Sequence, residues 1–468
     1  MLHWQTDDRG SFFSSVLQML DEAERAIQKG PVAPAPDAIA LRDWLENIDF
    51  QSTADPIPLI VELLRHFRSA NVHTTNSRYF GLFNPAPMIW GELADMISAR
   101  LNPQVATWSH APAAVETEQH VLSFMSREIG FDRGAAFFTS GGEEANRAGV
   151  QTAMAMRFPD YGEVGLRGLP AQPVLYVSAE SHLAWIKIAA SIGLGRQAVR
   201  LIPTSPNLKI DLTKLSNRIA KDRTEGLLPF FVGATAGTTS AGVIDPLPEL
   251  ADLALQERLH LHVDAAWAGA VLLSNEWRAV LHGVELADSV TIDAHKWLSQ
   301  PMGTGMFFSR EPTAPERAYE VSASYMPARV EGQLDYYRTT PMWSRRWIGL
   351  RLFLSLAVIG KEGFAAQIDR DIELGQRLRE ILAAEGWRVI NDTPLPVVCF
   401  TDAKGEHDAS WHARVAEDVV GSGHAWISTV SLNSRPALRA CITNWRSEMS
   451  DLLVLIRALD AARKRLQS

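Results

Sequence analysis

Short apolar runs alternate with longer amphipathic stretches through the middle of the chain. The runs are rich in β-branched and aromatic residues, as buried strands are, and the stretches between them carry apolar residues at helical spacing. The runs lie at residues 135–139, 174–177, 198–201, 230–235, 260–263, 289–292 and 304–308. Strands that alternate with helices predict an α/β fold, in which a mostly parallel seven-stranded sheet is wrapped by helices.

The N-terminal part has only helical patterns. One such pattern runs over residues 11–29 and stops at Gly30, before a segment that contains three prolines. Glycine and proline in these places are typical of a helix end. Further helical patterns at residues 59–68 and 88–101 flank an irregular apolar loop at residues 79–85. We therefore expect an N-terminal helical segment over residues 1–88.

The C-terminal part mixes the two patterns. Long helical stretches follow Trp347, with strand patterns at residues 397–400 and 438–443 and a last helical pattern at 449–466. This predicts a smaller α+β domain. The expected large domain is 89–350 and the expected small domain is 351–468.

Composition narrows the class of protein. The chain has 468 residues, of which 46% are hydrophobic, and a net charge of −9 without a long basic run, so nucleic acid is not an expected partner. Its two cysteines, Cys399 and Cys441, exclude a disulfide framework and fit a reducing compartment. Neither a signal peptide nor a run long enough to span a membrane is apparent, so we expect a cytoplasmic protein.

Two strand ends carry the residues of a pyridoxal phosphate site. Asp264 ends one apolar strand, and a carboxylate there can pair with a protonated pyridine nitrogen. Lys296 follows the next strand in the segment Asp-Ala-His-Lys-Trp, where a desolvated amine can hold an aldehyde. Taken alone, Asp264 could cap a strand and Lys296 could be solvated. Their order and placement together favour the cofactor.

A glycine loop supplies a place for an anion. The residues Thr-Ser-Gly-Gly at 139–142 follow a strand and open a helix. Glycines let the backbone approach a phosphate, and the amide groups at a helix start favour negative charge. The same glycines would also serve an ordinary strand-to-helix turn.

Other polar residues are predicted at the same sheet edge. His182 follows a strand and could stack on a flat ring, and the threonines of the loop 234–239 follow another strand. The alternatives are an ordinary polar histidine and a plain polar loop. His260 and His262 alternate on one strand face, but no third ligand lies at a suitable spacing, so no metal is predicted.

These residues resemble the group II pyridoxal-phosphate-dependent amino acid decarboxylases, which include the aromatic amino acid, histidine and glutamate decarboxylases. The resemblance runs from about residue 79 to residue 444 and rests on the motifs at 139–142, 262–266 and 295–297. It implies fold type I, with pyridoxal 5'-phosphate as cofactor. It also implies a homodimer with shared active sites, in which residues 1–88 pack on the partner.

The resemblance also implies roles for individual residues. Lys296 is the Schiff-base lysine, Asp264 is the partner of the pyridine nitrogen, and His182 stacks on the ring. The remaining cofactor-binding positions are Gly141, Gly142, Glu143 and His295 near the phosphate, Thr239 and Ala266 near the ring. Glu143 departs from the family, which often has threonine or serine there, since a carboxylate beside a phosphate is unfavourable unless it points away.

The reaction implied is α-decarboxylation of an L-amino acid to carbon dioxide and a primary amine. Tyr325 matches the catalytic-loop tyrosine of the family, and residues 309–335 lack a periodic pattern, as a lid would. Phenylalanine at the tyrosine position accompanies aldehyde synthesis in some plant relatives. A structural tyrosine in a surface loop is the alternative for Tyr325.

The substrate depends on the loops that line the pocket. The expected pocket residues are Leu82, Phe83, Asn84, Gln104 and Ala106, some of them from the partner subunit. An aromatic amino acid (tyrosine, DOPA or tryptophan) is the leading candidate. The alternatives are an acidic or other amino acid such as glutamate, aspartate or diaminobutyrate, or an aldehyde synthase or carbon–carbon lyase reaction on the same scaffold.

Overall fold

The computed structural model describes residues 6–321 and 330–467. The helices are α1 (Thr6–Lys29), α2 (Ala38–Glu46), α3 (Pro56–Ala70), α4 (Ile89–Leu101), α5 (Pro112–Ile129), α6 (Gly142–Arg157), α7 (Tyr161–Val164), α8 (Ala184–Ser191), α9 (Leu212–Thr224), α10 (Leu247–Gln256), α11 (Ala314–Tyr319), α12 (Tyr336–Thr339), α13 (Leu350–Ala384), α14 (Ala409–Gly421) and α15 (Met449–Gln467). The strands are β1 (Ala135–Thr139), β2 (Pro173–Ser178), β3 (Val199–Ile202), β4 (Leu228–Thr235), β5 (His260–Asp264), β6 (Ser289–Asp293), β7 (Gly305–Ser309), β8 (Trp387–Val389), β9 (Val397–Asp402), β10 (Ser428–Leu432) and β11 (Arg435–Cys441).

The larger sheet has seven strands in the order β1-β7-β6-β5-β4-β2-β3. Strands β2 to β6 are parallel to one another, while β7 runs antiparallel to both β1 and β6. Because β1 and β6 are both antiparallel to β7, they point in the same direction. Six strands therefore end at one edge of the sheet, and the predicted fold class, a mostly parallel sheet wrapped by helices, is confirmed.

A second sheet lies in the C-terminal part. Its four strands are antiparallel, in the order β10-β11-β9-β8. Strands β9 and β11 agree with the predicted strands, whereas the three-residue β8 and the strand β10, on which half-buried residues alternate with exposed ones, were not predicted. The N-terminal part pairs with this sheet, since Phe80 donates its N–H to Trp426 O at 2.9 Å and accepts from Cys441 N at 3.0 Å.

Two hydrophobic cores meet along α13. Phe364 and Ile368 belong to the core under the larger sheet, and Leu378 and Leu382, further along the helix, belong to the core of the smaller sheet. The helix is broken at Gly360, whose φ of 68° lies in the left-handed region that glycine adopts without strain.

Both cysteines are buried and free. Burial raises the pKa of Cys399 to about 12 and that of Cys441 to about 11, so both stay protonated thiols near neutral pH. Within residues 6–321 and 330–467 no helix is long and apolar enough to cross a membrane.

The proposed lid, residues 309–335, begins with ordered structure. Residues Ala314–Tyr319 form helix α11, in which Ala314 and Pro315 are buried, and the Tyr319 hydroxyl donates to Gln151 Oε1 at 3.0 Å. The absence of apolar periodicity was misleading because six residues are too few to show it. Of the remaining part of this segment, residues 322–329 lie outside the described residues, and the lid stays a prediction.

Candidate active site

Asp264 lies at the end of β5, in register with Thr235 of β4 and Thr291 of β6. Its side chain is 7% exposed, and each carboxylate oxygen has one protein donor. Ala266 N donates to Oδ1 at 3.1 Å, and Asn146 Nδ2 donates to Oδ2 at 2.7 Å. These two donors fix the plane of the carboxylate and leave lone pairs for a further partner.

Lys296 lies one turn beyond the end of β6. Its Nζ is 3.0 Å from Asp293 Oδ2, and its side chain is 26% exposed, so the amine is partly desolvated and paired with an anion. Asp293 is almost fully buried, and the described structure offers no hydrogen-bond partner to its Oδ1. Asp293 was not predicted as a site residue, although it ends β6 as Asp264 ends β5.

The glycine loop lies against these residues. A Cβ on Gly142 would be 2.8 Å from Asp293 Oδ2 and 3.3 Å from the Ala266 methyl group, and a Cβ on Gly141 would be 3.3 Å from His295 Cε1. The loop is therefore glycine because side chains have no room there, and the start of the 16-residue helix α6 faces the cleft.

The ring of His295 is oriented by the backbone N–H of Thr304. Thr304 N–H donates to Nδ1 at 3.3 Å, so Nε2 carries the proton of the neutral ring, and this nitrogen is the one nearer the Gly141 Cβ position. Burial lowers the pKa of His295, although Asp293 opposes this. The neutral ring can thus donate toward the glycine loop.

Glu143 turns away from the cleft. Its carboxylate is paired with Lys187 of α8 at 2.9 Å, and both side chains are largely exposed. The Glu143 carboxylate therefore does not lie beside the expected phosphate position, and only the backbone of residue 143 remains at the helix start.

His182 and Thr239 lie at the same edge of the sheet. His182 is exposed and accepts the N–H of Ala184 through Nδ1 at 3.1 Å, which leaves its Nε2 as the protonated nitrogen. Thr239 is half-buried, and its carbonyl accepts from Arg439 Nη1 at 2.5 Å. Arg439 comes from β11 and is 6% exposed, so the smaller sheet places a buried cation at this loop, which the sequence analysis missed.

The predicted pocket residues differ in exposure. Phe83 is 4% exposed and stacks on Trp267 with ring centroids 4.2 Å apart, whereas Leu82 is 40% exposed. Gln104 accepts the N–H of Arg345 at 2.9 Å, and Ala106 is 4% exposed. Asn84 donates to Met302 Sδ at 3.1 Å. Their role in substrate binding stays a prediction, as does the role of Tyr325, which lies outside the described residues.

The two strand histidines bind the same hydroxyl. His260 Nε2 and His262 Nδ1 lie 2.7 Å and 2.8 Å from Ser289 Oγ. Among the described residues, no group of three or more histidine, cysteine, aspartate or glutamate side chains could hold a metal ion.

The arrangement fits pyridoxal phosphate at three points. A buried carboxylate (Asp264), a partly desolvated amine (Lys296) and a glycine cradle at a helix start face one edge of the sheet. They match the pyridine nitrogen, the aldehyde and the phosphate of that cofactor.

Comparison with known proteins decides the family. The profile described as "Pyridoxal-dependent decarboxylase conserved domain" matches residues 40–402, more than half of the chain. The chain belongs to the pyridoxal-dependent decarboxylase family. The cofactor is pyridoxal phosphate, and the chain is a pyridoxal-phosphate-dependent amino acid carboxy-lyase, as the motifs predicted.

Relatives of this decarboxylase act on several kinds of amino acid. It is 28% identical to "Aromatic-L-amino-acid decarboxylase" of Bacillus atrophaeus over 92% of this chain and 91% of that one. It is 32% identical to "Cysteine sulfinic acid decarboxylase" of Rattus norvegicus over 76% and 73% of the two chains. The crystal structure of mouse CSAD superposes with a TM-score of 0.89 at 26% identity, covering 97% of this chain and 98% of that one. The class of reaction follows, whereas the substrate does not.

The cradle of the decarboxylase yields a test. Gly142→Ala should weaken pyridoxal phosphate binding roughly tenfold or more, since overpacking costs about 1–3 kcal/mol. Glu143→Gln should change it less than about twofold, because an exposed ion pair contributes little. Cofactor titration followed by fluorescence quenching measures both. Equal cofactor affinities for the two variants would show that residues 141–143 do not bind the phosphate.

Proposed function

We propose that the decarboxylase removes the α-carboxylate of an aromatic L-amino acid and releases the primary amine. The lack of charge among the predicted pocket residues supports this class of substrate. Leu82, Phe83, Asn84, Gln104 and Ala106 are all uncharged, so these loops offer no counterion to an acidic side chain. The exposed Leu82 and the small Ala106 suit a flat apolar group.

In this proposal each site residue has a defined task. Bound pyridoxal phosphate supplies an electron-accepting ring that takes up the electron pair of the bond that breaks. Asp264 would pair with the protonated ring nitrogen, and His182 and Ala266 would contact the ring. Lys296 would hold the aldehyde of the cofactor, where the substrate amine can replace it.

The phosphate end is held by the backbone of Gly141, Gly142 and Glu143, together with the Nε2–H of His295. Thr239 supports the ring from its half-buried position. Tyr325 then delivers the proton to the α-carbon, which requires that water be excluded from the site.

An acidic substrate is the second candidate. Arg439 is a buried guanidinium beside Thr239, and a cation in that position could bind a second carboxylate or a sulfinate. The relative named for cysteine sulfinic acid is consistent with this. An aldehyde synthase or a carbon–carbon lyase on this scaffold would release an aldehyde instead of an amine.

We also propose that the decarboxylase is a cytoplasmic homodimer. Exposed apolar side chains project from α1 and α4 around a groove of about 780 Å³ lined by residues of both helices. The exposed set is Phe13, Leu17, Leu20, Leu93, Met96 and Leu101. A contiguous apolar surface of this kind suits a second copy of the chain, since like surfaces meet across a two-fold axis.

A substrate panel tests the reaction and the pocket. Aromatic, acidic and diamino acids are incubated with the holoenzyme, and carbon dioxide and amine are measured together. The expected result is equimolar amine and carbon dioxide from an aromatic acid, with none from Lys296→Ala. Ala106→Phe should change the ratio of kcat/KM between two substrates by roughly tenfold or more without changing cofactor affinity. Preference for an acidic substrate would favour the second candidate.

The proton donor is tested by Tyr325→Phe. Amine formation should fall by about 10²–10⁴-fold, the usual contribution of a positioned general acid, while cofactor binding stays unchanged. Aldehyde and peroxide are measured alongside the amine. Amine formed at the wild-type rate would assign the proton to another group.

The dimer is tested by light scattering after size exclusion. Wild-type protein should have twice the chain mass of 51.7 kDa, and Leu93→Glu with Met96→Glu should shift it to a monomer with little activity. Leu255→Glu, at an isolated position on α10 that is 80% exposed, is the matched control and should remain an active dimer. A monomeric, fully active wild type would contradict the shared site.

A further inference from the structure

A continuous line of hydrogen bonds ends on Asp264. His260 Nε2 lies 2.7 Å from Ser289 Oγ, and Ser289 Oγ lies 2.8 Å from His262 Nδ1. His262 Nε2 lies 3.0 Å from Asn146 Oδ1, and Asn146 Nδ2 lies 2.7 Å from Asp264 Oδ2. The line joins β5, β6 and α6, and it begins at the half-buried start of β5.

The chemistry of the groups fixes the direction of every bond. The ionised form of Asp264 can only accept, so the Asn146 amide must donate to it and its Oδ1 must accept from His262. His262 Nε2 therefore carries the proton, and its Nδ1 accepts the Ser289 hydroxyl. The Ser289 oxygen then accepts from His260 Nε2. All four donors point toward Asp264.

The surroundings hold the line in place. His262 is fully buried, with its ring nearly perpendicular to that of Trp185, and stacks on Phe231 at 5.7 Å. Burial lowers the pKa of His262 well below its ordinary value, which keeps the ring neutral as the direction requires. Thr291 Oγ1, at 3.2 Å, is a second neighbour of His262 Nε2. A Cβ on Gly149 would lie 2.6 Å from His262 Nδ1, so α6 packs directly on the imidazole.

One helix thus reaches both ends of the cofactor site. Gly142 and Asn146 are four residues apart on α6 and lie on one face of it. Gly142 borders the phosphate cradle, whereas Asn146 binds the carboxylate proposed for the ring nitrogen.

We propose that Asn146 and His262 are positioning residues that keep Asp264 ionised, so that the proton shared with the ring nitrogen stays on the ring. This rests on the role proposed for Asp264. Donors to a carboxylate favour its charged form. Without the Asn146 amide, Asp264 would lose one of its two protein donors in a buried place, and it would take the proton for itself.

A purely structural network is the competing explanation. Buried polar groups usually satisfy one another, and the loss of any of them destabilises the fold. The two explanations differ in where the ring proton resides, so the experiment must observe that proton directly.

The holoenzyme is loaded with pyridoxal phosphate that carries ¹⁵N at the ring nitrogen, and its shift is read by solid-state NMR. Wild type should show a protonated nitrogen. Asn146→Leu, which keeps the branching and the number of side-chain heavy atoms, should shift most of the signal to the unprotonated value. It should also lower kcat by roughly 10- to 100-fold, as expected for one hydrogen bond to a charged group, with KM changed less than about threefold.

Two further variants keep the test decisive if Asn146→Leu does not fold. His262→Phe removes the donor that orients the Asn146 amide and should shift the signal in the same direction. His262→Gln restores an N–H donor and should recover the protonated signal. Thr152→Val, on the same helix, removes a buried hydrogen bond to the backbone away from Asp264 and should leave the nitrogen protonated.

Asp264→Asn separates this proposal from the role of Asp264 itself. A nitrogen that stays protonated in Asp264→Asn would refute that role. A ring nitrogen that loses its proton in Asp264→Asn but stays protonated in Asn146→Leu and His262→Phe would overturn only the role proposed for Asn146 and His262. A shift in Thr152→Val as large as in Asn146→Leu would assign the effect to helix packing and would also overturn it.

Discussion

The burial of one carboxylate organises this decarboxylase. Asp264 is 7% exposed, and a carboxyl group this buried needs hydrogen-bond partners in place of the water it has lost. One donor is local, the N–H of Ala266, and the other must come from α6. Helix α6 can approach β5 that closely because residue 149 is glycine. The need for a hydrogen bond to Asp264 therefore goes together with close packing of this helix on the sheet.

A buried ion pair holds the strand that leads into α6. Arg345 and Glu118 are both fully buried and 3.3 Å apart, and Arg345 Nη2 donates to the carbonyl of Phe138 in β1. Glu118 Oε1 accepts from Gly349 N just before α13 begins. The strand that leads into the glycine loop is thereby tied to α5 and to the entrance of α13.

The sequence revealed the elements whose signal is local. Asp264, Lys296 and the glycine loop each follow an apolar strand, and parallel strands bring such ends together, so fold class and cofactor could be predicted before any coordinates. Asn146 could not be found in this way, because it lies 118 residues from Asp264 and its role depends on the helical face it occupies. Arg439 was missed for the same reason, since it reaches the site from the other sheet.

His260 and His262 show a limit of a different kind. Their alternation correctly placed two imidazoles on one strand face, but spacing does not indicate what an imidazole binds. Ser289, the hydroxyl between them, belongs to the neighbouring strand, so the connection exists only once β5 and β6 pair. Helix α11 and strand β8 were missed because they are too short to show a period.

The contact between Arg439 and Thr239 has a consequence for how the chain folds. The loop belongs to the larger sheet and the cation to the smaller one, and the core under the larger sheet also includes Cys399 and Cys441 from β9 and β11. Neither sheet can separate without exposing apolar surface and a buried guanidinium at once. We therefore expect the two parts to unfold together, and a fragment cut at the start of α13 would lose Arg439 from the loop of Thr239 as well as part of its core.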